Sequence, residues 1–119
     1  MTDARTYTGG CHCGKVRFEV KTDLSRVLQC NCSICSKAGW LLAFAPAEQF
    51  TLLSGAEALA DYQFGRKRAH HPFCPECGVR SFSRGTAPDG REMCAVNVRC
   101  LDGVDVGALT IAPFDGKSL

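Results

Sequence analysis

Polar and apolar residues alternate along this chain in short stretches. Lys15-Val16-Arg17-Phe18-Glu19-Val20 has period two, the pattern of a half-buried strand. Val79 to Ser83 and Met93 to Leu101 repeat it. Trp40 to Ala45 is a continuous apolar run, which reads as a buried strand. Phe50 to Gly55 and Leu59 to Phe64 read as further strands, each closed by glycine. Helical signals are scarce: one short turn over Ser33 to Lys37 and another over Ala56 to Leu59. The pattern predicts a mostly β fold in a single domain, residues 1–119, because a chain of this length has no room for two cores.

Composition changes this picture at one residue type. Hydrophobic residues make up 45% and charged residues 22%, ordinary for a soluble globular protein, but there are nine cysteines. Seven of them fall into three clusters: Cys11-His12-Cys13, Cys30-Asn31-Cys32-Ser33-Ile34-Cys35 and Cys74-Pro75-Glu76-Cys77. The N-terminus is polar, with no secretory signal, and no apolar run is long enough to span a bilayer. A reducing, cytoplasmic location follows, where thiols bind metal rather than pair as disulfides. Nine is also an odd number, a poor fit to a complete disulfide framework.

The spacing divides the clusters into two metal sites. Cys74-Pro75-Glu76-Cys77-Gly78 is a knuckle that turns both sulfurs toward one ion. Gly10 and Gly14 flank Cys11-His12-Cys13 and permit the sharp turn that a one-residue spacer demands, with His12 as an exposed spacer. These two pairs sum to four thiolates, a closed structural zinc site. Cys30, Cys32 and Cys35 supply three, which leaves a position for water or substrate, as in catalytic zinc sites. A histidine, Cys94 or Cys100 would close it instead, and His70 or His71 would make it a second structural site. A thiol is the natural occupant of an open position, because thiolate is a soft zinc ligand and zinc makes it reactive near neutral pH.

Trp40, Phe44 and Phe73 are candidates for the walls of a pocket at this site. Asn97 and Arg99 share one face of the late strand if it is unbroken, with Cys94 and Cys100 on the other. Facing the metal, Asn97 and Arg99 would supply a hydrogen bond and a carboxylate anchor. The formal charge is +2, with 14 basic and 12 acidic residues. Seven metal-bound thiolates bring the loaded protein near neutrality, so the charge argues against a nucleic-acid partner. The local run Arg66-Lys67-Arg68 reads as a solvated turn or as a docking patch for an anion such as a peptide carboxylate.

Taken in order, Thr8-Gly9-Gly10-Cys11-His12-Cys13-Gly14, the triple at Cys30 to Cys35, and Phe73-Cys74-Pro75-Glu76-Cys77-Gly78 resemble the glutathione-dependent formaldehyde-activating enzyme family, also called the centromere protein V domain. The resemblance spans nearly the whole chain. It implies a β-tent fold similar to a small chaperone of Rab GTPases, and two zinc ions per chain: a structural one on Cys11, Cys13, Cys74 and Cys77, and a catalytic one on Cys30, Cys32 and Cys35. It also implies carbon–sulfur lyase chemistry on a thiol–aldehyde adduct, with glutathione and formaldehyde as the named partners. Two other readings are a zinc-stabilised binding or chaperone module, and a zinc-bearing thiol redox enzyme using Cys94 or Cys100.

Overall fold

A computed structural model describes residues 4–67 and 69–118. Arg68 of the basic run lies outside the described residues. The described chain folds into β1 (Arg5–Gly10), β2 (Arg17–Thr22), β3 (Val27–Cys30), α1 (Ser33–Ala38), β4 (Leu42–Pro46), β5 (Phe50–Ser54), β6 (Ala60–Tyr62), β7 (Ala69–Phe73), β8 (Phe82–Thr86), β9 (Glu92–Asn97) and β10 (Ile111–Phe114). It is mostly β, as the alternation predicts. No helix among the described residues is long and apolar enough to cross a membrane.

The strands form two sheets. A small antiparallel sheet has the order β1-β2-β5, and a larger one the order β10-β3-β4-β9-β8-β7-β6. Every neighbouring pair in the larger sheet is antiparallel except β10 and β3, which are parallel. Alternate residues point to opposite faces of a strand, so each face of the larger sheet has its own residues. Ala43, Ala45, Phe82, Cys94 and Val96 face the small sheet and join Val16, Phe18, Val20 and Phe50 in the main core. Three aromatic rings fasten the two sheets: Phe18 lies 5.4 Å from Phe50, and Phe50 lies 4.7 Å from Phe82. Leu42 and Ala95 point the other way and form a second cluster with Cys35 and Trp40. The run at 40–45 is continuous because one face meets the main core and the other the second cluster, with Phe44 left half-exposed beside a cavity.

Several expected strands shift, each for a local reason. The strand expected from Lys15 starts at Arg17, because Val16 is held in the cysteine turn by a bond from the Cys11 amide, 3.1 Å. The one expected from Val79 starts at Phe82, because the Val79 carbonyl closes the 74–77 knuckle by accepting from the Cys74 amide, 3.2 Å. The segment from Leu59 to Phe64 narrows to Ala60–Tyr62. The late strand ends at Asn97, whose side chain caps a 3-10 turn over Val98–Cys100. The unbroken-strand parity linking Asn97 to Arg99 therefore does not hold. Strands β1, β3, β7 and β10 carry no alternating signal of their own.

Candidate functional site

The two cysteine pairs meet at one corner. A turn at 11–14 is closed by the Gly14 amide on the Cys11 carbonyl, 3.3 Å, and the knuckle by the Gly78 amide on the Cys74 carbonyl, 2.7 Å. Gly14 and Gly78 both adopt positive φ, 84° and 78°, as these turns require. Gly10 has a different reason to be glycine: a Cβ there would stand 2.1 Å from the Val16 carbonyl oxygen. The sulfurs of Cys11, Cys13, Cys74 and Cys77 lie within 4.8 Å of one another, with Cys11–Cys13 and Cys13–Cys74 both at 3.6 Å. Four thiolates around zinc at about 2.3 Å stand about 3.8 Å apart, so this set fits a tetrahedral ion. Backbone amides of Cys13 and Val79 favour the Cys77 thiolate and bring its pKa down to about 6. The Lys15 amide favours ionisation of Cys13, but the crowded sulfurs of Cys11, Cys74 and Cys77 together with desolvation outweigh it and push that thiol up to about 11. Crowded sulfurs of this kind must share protons unless a cation replaces them.

The triple is built differently. Cys30 ends β3, Cys32 is the N-cap of α1, and Cys35 lies in the helix and is buried. The helix winds the segment back on itself and ends at Gly39, which takes the left-handed conformation. The three sulfurs lie within 4.8 Å of one another, and among the described residues no fourth cysteine, histidine, aspartate or glutamate joins them. This donor set also fits a metal ion. Burial pushes the Cys35 thiol up to about 12, against the Trp40 indole N–H, which favours its thiolate. Burial opposes ionisation of Cys32 as well, but the backbone amides of Cys35 and Ile34 at the helix start, together with the neighbouring Cys35 and Cys30 thiols, prevail and lower it.

Asn31, inside the triple, is a residue whose role the sequence does not reveal. Its side chain donates to Asp115, 2.9 Å, and accepts from the Lys117 amide, 3.0 Å, while its own amide bonds the Phe114 carbonyl, 3.1 Å. Residues 114–117 thus clasp the cysteine loop.

The triple opens on a cavity of about 380 Å³. Its floor is Leu28, Leu42 and Ala95; Trp40, Phe44, Phe64 and Phe114 stand around it. Arg66 and Lys67 are the only lysine or arginine side chains among the described lining residues. His71 lines the same cavity, its ring stacked with Trp40 (6.1 Å) and Phe64 (5.3 Å). Its Nδ1 is 3.0 Å from the Tyr62 carbonyl. A carbonyl only accepts, so Nδ1 carries the proton and Nε2 presents a lone pair. Trp40 Nε1 is buried with no conventional hydrogen-bond partner and lies toward the Cys35 sulfur.

The other candidates lie elsewhere. Phe73 is not in the cavity wall; it sits under the Arg80 guanidinium, 4.9 Å from the ring centre. Asn97 is buried and bonds the Arg80 carbonyl, 3.0 Å, while Arg99 is exposed beyond the strand break. Cys94 is in the main core, and Cys100 is half-buried near the Arg80 carbonyl, 3.9 Å. Burial raises both thiols, the reverse of what a nucleophile needs. His70 pairs with Asp61, 2.7 Å, and His12 is exposed.

The family model described as "Glutathione-dependent formaldehyde-activating enzyme" matches residues 6–113. A crystal structure of a Rhodobacter sphaeroides protein is similar at 35% identity, with a TM-score of 0.79, over 89% of this chain and 97% of that one.

Proposed function

Since the chain belongs to the glutathione-dependent formaldehyde-activating enzyme family, we propose that it is a zinc-dependent carbon–sulfur lyase acting on a thiol–aldehyde adduct of the S-hydroxymethylglutathione type. Zinc on Cys11, Cys13, Cys74 and Cys77 is structural, and zinc on Cys30, Cys32 and Cys35 is catalytic. The observation that carries this reading is the contrast between the sets: the three-sulfur set lines a cavity, whereas none of the four-sulfur set lines any cavity described.

Bound at the triple, zinc supplies the means to hold a substrate thiol as a thiolate near neutral pH. The chain's residues do the rest. Arg66 and Lys67 at the mouth meet the carboxylates of a thiol such as glutathione. The apolar walls exclude water. In breakdown of the adduct, His71 Nε2 accepts the hydroxyl proton, the oxygen electrons form the carbonyl, and the sulfur leaves with the carbon–sulfur pair. The proton on His71 then returns to the thiolate. Formation of the adduct is the reverse. We place the protein in a reducing compartment such as the cytoplasm, where clustered thiols bind metal rather than oxidise.

The test is elemental analysis of zinc beside an assay of S-hydroxymethylglutathione breakdown. Wild type is expected to carry two zinc ions and turn the adduct over. Cys32→Ser is expected to retain one zinc and an unchanged circular dichroism spectrum, and to lose turnover. A Cys32→Ser protein as active as wild type would sink the assignment of the triple.

A further inference from the structure

We propose that the aldehyde handled at this site carries an apolar chain, and that the chain lies in a trench running from the cavity along β8 and β9. The proposal rests on the carbon–sulfur reading above and names its aldehyde partner.

Register places small residues side by side on the outer face of the larger sheet. Phe44 pairs with Ala95, and Ala95 with Ser83. One step on, Met93 pairs with Gly85, and Gly85 with Ala69. Residues directly opposite on neighbouring strands share a face. Alanine, serine and glycine therefore fill the middle of both rows, with Phe44 and Met93 rising beside them. The result is a second hollow of about 360 Å³, which shares Phe44, Ala69, Ser83 and Ala95 with the 380 Å³ cavity and continues to Ala87 and Pro88. From Ser83 to Ala87 a strand rises roughly 13 Å, the reach of an extended chain of about eight to ten carbons. Arg84 brings no charge to this floor, because its guanidinium lies over Phe50 and Phe82, 5.5 Å from each ring centre.

The two ends of the combined space differ in chemistry. Arg66 and Lys67 line the part beside the cysteines and not the trench itself, although Lys67 also borders, with His70 and Glu92, a polar hollow that adjoins the trench's far end at Gly85 to Pro88. An anionic thiol belongs beside the cysteines. The trench is apolar and leads away, so it takes the other half of the adduct, the aldehyde. Formaldehyde has no carbon beyond its carbonyl and would leave the trench to water. The step balances without any further reagent: the thiol sulfur forms the carbon–sulfur bond, the carbonyl π pair moves to oxygen, and the thiol proton ends on that oxygen.

The experiment is steady-state kinetics of the zinc-loaded full chain with glutathione and straight-chain aldehydes from formaldehyde to octanal. A second arm pairs formaldehyde with alkanethiols of increasing length. We expect kcat/KM to rise about two- to fourfold per methylene in the aldehyde arm, and to stay flat in the thiol arm. Ala95→Phe, or Ser83→Leu at a less buried position should the first fail to fold, should collapse the octanal-to-formaldehyde ratio. A gain confined to the thiol arm, or turnover of formaldehyde with no gain on lengthening, overturns the proposal while leaving the lyase reading intact. No turnover of any aldehyde overturns the lyase reading instead. Occupancy of the trench then rests on fluorescence of Trp40, the only tryptophan in the chain. Binding of 1-octanol tens of fold tighter than 1-butanol supports an apolar-chain site, and equal or absent binding rejects it.

Discussion

His71 lines the cavity of the three sulfurs with its Nδ1 proton committed to the Tyr62 carbonyl, so the ring can offer only Nε2 to a substrate. His71→Asn keeps a donor at the place of Nδ1 for that carbonyl and removes the basic nitrogen. The expected result is a 10²- to 10⁴-fold fall in kcat, the usual worth of general acid–base catalysis, with KM changed by less than about threefold and zinc content unchanged. Kinetics and elemental analysis on one preparation check both. At this scale the two cysteine clusters that could hold metal were legible, because one- and two-residue spacers bring sulfurs together by local geometry. The cavity residues were legible only in part. Trp40 and Phe44 follow the triple closely in sequence and do line its cavity, whereas Phe64 and His71 arrive from a distant hairpin. Asn97 and Arg99 were read through a strand parity that the 3-10 turn at 98–100 cancels.

Among the elements, the turn that ends β5 shows how strictly the two sheets' corner is packed. Gly55 has φ +88°, and a Cβ there would stand 2.6 Å from the Lys15 carbonyl oxygen. Gly55→Ala combines an unfavourable left-handed backbone with a collision against main chain, and is expected to cost roughly 2–4 kcal/mol, read as a lowered Tm in thermal unfolding. Strands with strong alternation or continuous apolar runs, such as β2, β4 and β5, could be read from the chain, to within a few residues. Those that could not are short, carry proline or, like β1, end in glycines. β3 has four residues, β10 contains Pro113 and β7 contains Pro72. Proline lacks the N–H that a ladder uses, so such segments are strands only because a neighbour pairs with them.

For the molecule as a whole, the four-cysteine set closes the long loop between Cys13 and Cys74 and joins the small sheet to the larger one. Binding of structural zinc in small zinc fingers is worth about 10–16 kcal/mol, as much as the entire stability of most domains. Cys74→Ser is therefore expected to lose one zinc and cooperative unfolding together, whereas loss of the ion at the triple should leave the fold intact. Chelator titration followed by circular dichroism checks this, with the triple emptied first. The pH dependence has a definite sign. Ligation requires thiolates, and Cys35 and Cys13 hold their protons up to about 12 and about 11 without a cation. Binding therefore releases protons, and zinc retention should weaken as pH falls.

The clasp of residues 114–117 on Asn31, together with the parallel pairing of β10 to β3, also bears on the order in which the protein is made. A Cβ on Gly116 would come within 2.5 Å of the Cys30 sulfur, so this segment packs directly against the cysteine loop. Some eighty residues separate Cys35 from Gly116. At ~5–20 residues per second a ribosome needs about 4–16 s to cover that distance. Throughout that interval three thiols emerge before the segment that will shelter them exists, so the speed of translation sets how long they stand open to oxidants and to competing metals.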